Sequence, residues 1–268
     1  VLLGGSLAVV TSALVGTWVV LRGLSFMGDA LAHGVTPGIA LAFAIGFDLT
    51  IGAVLAAVVM VAGITLVHHR ARLREDVAIG LLFVGMLALG VIIMSRLPGF
   101  TGELADILFG DTLAISGGDI AFQAIAAAAT AVLVVVFYRS FMVLSFNRAK
   151  ATALGLQPGL ANFMMLALLT GAIVTSFRTV GTLLVFALIV APPATASLVV
   201  RRVPMMMVVG SGLGILAVAG GLLISWHADT AAGATIAGLT VALFFVVLVV
   251  RGAITGIRQR RSTAPTPG

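Results

Sequence analysis

The chain has 268 residues, of which 61% are hydrophobic and only 9% charged, and its mean hydropathy is +1.24. A soluble domain carries roughly 25% charged residues, so this composition excludes a water-soluble fold. With no cysteine in the chain, disulfides, thiolate metal ligands and thiol nucleophiles are excluded too, and any metal it binds must be held by oxygen and nitrogen.

Apolar runs of about 20 residues, the length that carries a helix across a bilayer core, recur along the chain. In order they cover about 1–21, 27–47, 50–67, 77–95, 118–138, 160–177, 180–200, 204–225 and 231–250. This predicts an all-α, polytopic helical membrane protein of about nine spans, with eight to ten as the range. The first run lacks a basic leader and a small-residue cleavage site, and its charge, Arg22, follows it; that is the pattern of a membrane helix rather than a signal peptide. Residues 1–257 read as one transmembrane domain. Residues 258–268 are basic, polar and proline-containing, and predict a disordered cytoplasmic tail. Glycine clusters such as Gly210 to Gly214 fit close helix packing.

The spans alternate direction, so one loop assigns them all, and the Lys/Arg bias chooses the orientation. Placing the 68–76 loop in the cytoplasm also puts Arg22, Arg139, Arg148, Lys150, Arg201, Arg202, Arg251, Arg258, Arg260 and Arg261 there, and leaves only Arg96 and Arg178 outside. Asp48, Glu103, Asp106, Asp111, Asp119 and Asp229 then collect at the outer face. Such an outer vestibule attracts cations, although solvated loop charges give the same pattern.

Ionisable groups inside a span are costly unless paired or lining an aqueous path. Asp29 and His33 lie within Ser25-Phe26-Met27-Gly28-Asp29-Ala30-Leu31-Ala32-His33-Gly34-Val35-Thr36-Pro37-Gly38, spaced to share one helical face. A carboxylate and an imidazole there can grip one cation. Gly28, Gly34, Pro37 and Gly38 predict a broken helix, tolerated at membrane depth only inside protein or beside water. In a symmetric dimer two such pairs would converge, an oxygen and nitrogen set suited to Mn²⁺ or Zn²⁺. The alternative is that Asp29 caps a helix starting at Ala30 while His33 bonds a carbonyl.

His68 and His69, ahead of Arg70, Arg72, Arg74, Glu75 and Asp76, read as part of a cytoplasmic loop. His227 and Asp229, with Glu103 and Asp106, are candidates for an outer cation route. Arg178 sits alone between two apolar segments. No nucleophile elbow, His-Glu-x-x-His motif or phosphate-binding loop occurs, and the only lysine, Lys150, lies in Arg148-Ala149-Lys150-Ala151; the chain is therefore not itself a P-loop ATPase. The stretch Ser145 to Gly159 reads as a short cytoplasmic helix stopped by Gly155 and Pro158, able to dock in a partner's groove or serve as a plain connector.

Several fragments, in this order and spacing, resemble the permease subunits of bacterial ABC importers for zinc and manganese. They are Gly23 to His33, Glu75 to Gly80 with Ala88-Leu89-Gly90, Leu108 to Asp111, Ala153-Leu154-Gly155, Val180 to Leu184 and Ala191 to Ala196. The chain departs from many relatives in carrying two prolines, Pro192-Pro193.

The resemblance implies an ABC importer permease in a multi-pass bacterial cell membrane, C-terminus cytoplasmic, working as a homodimer surrounded by lipid. Its partners would be a cytoplasmic ATPase dimer, which alone binds and hydrolyses ATP, and an extracytoplasmic metal-binding protein. The chain itself would be a transport subunit rather than an enzyme, with no permanently bound cofactor, no nucleic-acid role, and Mn²⁺ or Zn²⁺ as cargo. Asp29 and His33 would match the pathway metal site. Asn147, Arg148, Lys150, Ala151, Ala153, Leu154, Gly155 and Leu156 would match the coupling helix gripped by the ATPase. The alternative is a gradient-driven secondary metal transporter with Asp29 and His33 as a proton relay; it predicts pseudo-symmetric halves, which the sequence does not show.

Overall fold

The structure, a computed structural model, describes residues 2–71, 75–96, 117–146 and 157–262. Among the described residues every regular element is an α-helix: α1 (Leu2–Leu21), α2 (Ser25–Gly34), α3 (Thr36–Ala44), α4 (Leu49–Ala71), α5 (Glu75–Met94), α6 (Gly117–Val136), α7 (Tyr138–Phe146), α8 (Pro158–Val180), α9 (Thr182–Val199), α10 (Val203–Ala228) and α11 (Ala232–Ser262). Seven of these are long and apolar enough to cross a membrane, and Leu184–Val199 of α9 forms a shorter apolar helix. The remaining predicted span, 27–47, the second in chain order, is filled by α2 and α3 end to end.

That break has a backbone cause. Pro37 has no N–H to donate to the His33 carbonyl four residues back, so the ladder loses a rung one turn past His33. Pro37 instead occupies the first turn of α3, where a missing donor is harmless.

Three boundaries differ from the sequence reading. Helix α4 continues to Ala71, so His68 and His69 lie in its last turns rather than in a loop. Arg178 falls inside α8, and a single residue, Gly181, separates α8 from α9; its φ of 77° and ψ of 158° belong to a region essentially reserved for glycine. Helix α11 runs to Ser262, through the first residues of the expected tail; residues 263–268 lie outside the described residues.

Helix α1 is the hub, packing against α6, α8, α9 and α10. Within its membrane-length window 67% of residues are buried, against 17% for α11, so α1 is surrounded by protein while α11 faces outward. Small residues make this possible. A Cβ at Gly16 would fall on the carbonyl oxygen of Ile189, so the backbones of α1 and α9 touch there. That carbonyl is the one Pro193 cannot bond, and a glycine Cα–H facing it gives it a weak donor. Gly38 of α3 and Gly52 of α4 meet the same way, each Cβ position blocked by the other's carbonyl. Buried Thr11 and Thr17 turn their hydroxyls back onto Leu7 and Ala13 carbonyls at 3.0 and 2.7 Å, which satisfies both groups within the helix.

Gly16→Val should therefore force α1 off α9 and lower the thermal unfolding midpoint of the detergent-solubilised protein sharply, with a loss of about 3 kcal/mol or more. Gly212→Ala, where no atom lies within 4 Å of the new Cβ, should leave the midpoint within error of wild type.

Candidate metal centre

Helix α1 ends in a tight reversal that aims α2. The Leu24 amide bonds the Val19 carbonyl at 2.9 Å and the Gly23 amide bonds Val20 at 3.1 Å, with Gly23 at φ 68°. This is a Schellman turn, and its following apolar residue, Leu24, is buried as that motif requires. From it α2 starts at Ser25 with no side-chain cap. Asp29 is thus a helix-interior residue, and the capping alternative for it does not occur.

One turn apart on α2, His33 Nε2 lies 3.5 Å from Asp29 Oδ1, and each side chain is 25% exposed. Their surroundings are apolar. The His33 ring sits 6.1 Å from that of Phe83 on α5, whose other edge meets Phe26 at 5.8 Å, while Met27, Ala30, Leu31 and Ala32 are buried behind.

The depth follows from the neighbours. Phe83 lies near the middle of α5, Met60, whose sulfur occupies the space over Gly34, is at the middle of α4, and Ile189, 3.8 Å from the Cβ position of Gly28, is near the middle of α9. Asp29 and His33 are therefore level with the centres of three flanking helices. A tetrahedral ion with both ligands about 2.1 Å away holds them roughly 3.4 Å apart, so the pair can bite one cation without backbone movement. Among the described residues no group of three or more His, Cys, Asp or Glu side chains is close enough to hold a metal, so Asp29 and His33 stand there as a pair.

The other sequence candidates distribute differently. Asp229 is the left-handed C-cap of α10, at φ 49° and ψ 44°, and is exposed beside His227. The His227 Nδ1–H donates back to the Leu223 carbonyl at 2.8 Å, which leaves Nε2 toward the exterior. Asp48 accepts the amides of Thr50 and Ile51 at 2.8 and 3.1 Å, so it caps α4, the plain structural role for an acid at a helix start. Asp119 lies in the first turn of α6. Glu103, Asp106, Asp111 and the segment Asn147, Arg148, Lys150, Ala151, Ala153, Leu154, Gly155 and Leu156 lie outside the described residues. A lateral groove of about 760 Å³ between α4 and α8 is lined by Val54, Val58, Phe163 and Leu166 among others, and neither Asp29 nor His33 borders it.

Two contacts escaped the sequence reading because their partners are far apart in the chain. Arg22 Nη1 donates to Asn162 Oδ1 at 2.8 Å, across 140 residues. The Trp18 ring packs edge-on against Tyr138 and Phe141 of α7, centroids 5.4 and 5.5 Å away. Only Asn162, a polar side chain in the otherwise apolar stretch that opens α8, marks the first in sequence.

The profile of the ABC 3 transport family matches residues 1–251. The manganese transport system membrane protein MntC of Listeria monocytogenes is 35% identical over 90% of this chain and 85% of its own length. The chelated iron transport system membrane protein YfeD of Yersinia pestis is 35% identical over 94% and 84%. Among solved structures, PsaBC from Streptococcus pneumoniae in complex with Fab superposes with a TM-score of 0.83 at 32% identity, covering 92% of this chain and 88% of that one. With a central α1, a broken second span and an Asp/His pair at mid-depth, this chain belongs to the ABC 3 transport family.

Proposed function

We propose that the chain is the permease of an ATP-driven importer of divalent transition-metal ions, two copies meeting so that their Asp29 and His33 pairs face one another across the ion route. The observation that carries this is the position of those side chains: a quarter exposed, at the mid-depth of an apolar helix bundle. Hydrocarbon against a carboxylate costs about 3 kcal/mol or more, so that exposed quarter is met by water or by another protein surface. A second copy supplies both, and raises the donor set from two to four around one ion.

The cargo class follows from the donors and from the relatives. Carboxylate oxygen and imidazole nitrogen suit Mn²⁺, Fe²⁺ and Zn²⁺, and the matched relatives are described by manganese and chelated iron transport. Neutral imidazole binds through Nε2 while the carboxylate offsets ion charge, so the ion can shed water stepwise without meeting bare hydrocarbon. The energy comes from elsewhere, because the chain has no phosphate-binding loop. A separate ATPase docking on Asn147 to Leu156 would open the route alternately outward and inward.

Orientation fits the same picture. Arg22–Asn162 and Trp18–Tyr138 bring the end of α1, the start of α7 and the start of α8 to one end of the bundle. Arg139 is exposed at that end, and the positive-inside bias makes it cytoplasmic.

In proteoliposomes with the ATPase and the delivering protein, Asp29→Asn and His33→Ala should each cut ATP-dependent Mn²⁺ uptake at least about tenfold while the unfolding midpoint stays near wild type. Uptake by the wild type with the ATPase omitted and a proton gradient imposed would overturn the reading in favour of a gradient-driven transporter. The dimeric site has its own check, clean because the chain has no native cysteine. A His33→Cys variant treated in membranes with a short bifunctional thiol reagent should run as a covalent dimer; a purely monomeric product would place the two sites away from a shared axis.

A further inference from the structure

We propose that the last turn of α1 is the receiver that carries the ATPase's motion to the ion site, with Trp18 and Arg22 gripping the two flanks of the 147–156 segment. This rests on the reading of that segment as the docking point for the ATPase. The segment is preceded by α7 and followed by α8. Tyr138 and Phe141 of α7 clasp the fully buried Trp18 ring, and Asn162 in the second turn of α8 accepts from Arg22. Trp18 lies in the last turn of α1, and Arg22, the residue after that helix, closes on it through its amide to the Trp18 carbonyl at 3.1 Å. The helices that bracket the docking segment in sequence are thus both tied to the C-terminal end of α1.

Each tie is of a kind that transmits displacement. The Arg22–Asn162 bond is charge-assisted, short and directional, and the same Nη1 lies 3.6 Å from Met165 Sδ, a residue 1% exposed, so the guanidinium is seated between two positions of α8. The aromatic clasp is a packed edge-to-face cluster, extended by Phe137, which stacks on Phe141 at 5.8 Å. Packed interiors of this kind resist compression and pass strain on.

Beyond Arg22 the chain has no slack. The Schellman turn at Gly23 closes with two backbone bonds, and α2 begins at Ser25, so a displacement of the α1 end reaches Asp29 within two helical turns. Met27 and Leu31, on the opposite side of α2, are buried, which steers the helix to pivot about that buried face and to carry Asp29 and His33 with it. Trp18, Arg22 and Asn162 touch no ion; they are positioning residues.

The test measures ions imported per ATP hydrolysed in the reconstituted complex, a ratio that a merely structural role would not move. Arg22→Leu, Asn162→Ala and Trp18→Leu should each lower it at least about tenfold, the size expected for losing a charge-assisted bond or a buried aromatic clasp. ATP hydrolysis by the partner should stay within about twofold, and Mn²⁺ binding to the detergent-solubilised permease should be unchanged. Arg22→Lys, which keeps a cation on the Asn162 amide, should recover about half of the ratio, and it serves as the deciding variant if Arg22→Leu fails to assemble. An unaltered ratio in Asn162→Ala, with Asp29→Asn inactive in the same assay, would overturn this inference and leave the proposed function standing. Asp29→Asn with full uptake would sink the proposed function itself.

Discussion

A carboxylate and an imidazole placed halfway along a helix bundle and left a quarter open create a demand that the apolar side chains around them among the described residues do not meet. Hydrocarbon is the wrong solvent for both, and the apolar rings of Phe26 and Phe83 beside them offer no hydrogen bond. The architecture answers this demand geometrically. Helix α2 is short, begins from a rigid turn and ends at a proline-directed break, so its polar face is held at one depth and one azimuth. An ordinary continuous span with the same two residues would bury them among its neighbours or turn them to lipid.

The rigidity needed to hold that face comes from residues with almost no side chain. Gly16 lets α1 touch the Ile189 backbone of α9, Gly38 and Gly52 let α3 touch α4, and Gly28 admits Ile189 and Phe186 against α2. In lipid there is no hydrophobic gain from bringing two apolar helices together, and close backbone approach with dispersion contacts takes its place. The two prolines of α9 take part in the same device. They free the carbonyls of Leu188 and Ile189, and the freed oxygen of Ile189 is where α1 comes closest. A feature that reads as helix-breaking in isolation thus marks a packing seam.

Much of this was legible in the sequence because membrane helices advertise themselves. The span positions follow from run length alone, and the break after His33 from Gly34, Pro37 and Gly38, since few other residue types interrupt a helix at that depth. The Asp29–His33 pairing was legible because a four-residue spacing places both on one face whatever the tertiary fold. What the sequence hid were contacts across long separations. Nothing local says that Arg22 reaches Asn162, or that Tyr138 and Phe141 continue beyond the α6 span in order to clasp Trp18. The helical state of His68 and His69 was obscured for another reason: charged residues mark where a span leaves hydrocarbon, not where its hydrogen-bond ladder stops, and α4 runs on past that point to Ala71. Asp48 shows what charge placement alone leaves out: the acid assigned to the outer face also caps α4.

The composition of the pair also bears on how an importer must work. An ion on a transport route has to be held well enough to enter and loosely enough to leave. Thiolate ligands would bind zinc-like ions tightly, and the chain has none; the Asp29 carboxylate and His33 imidazole are hard and borderline donors, partly open and, among the described residues, without a third His, Cys, Asp or Glu beside them. In the proposed dimer, affinity would depend on how closely the two copies approach, and a change in that approach would change both grip and access at once. Anchored at its start by the Gly23 turn and interrupted after His33, α2 holds both ligands on one ten-residue unit, so in the proposed dimer whatever displaces that unit would displace the two donors together.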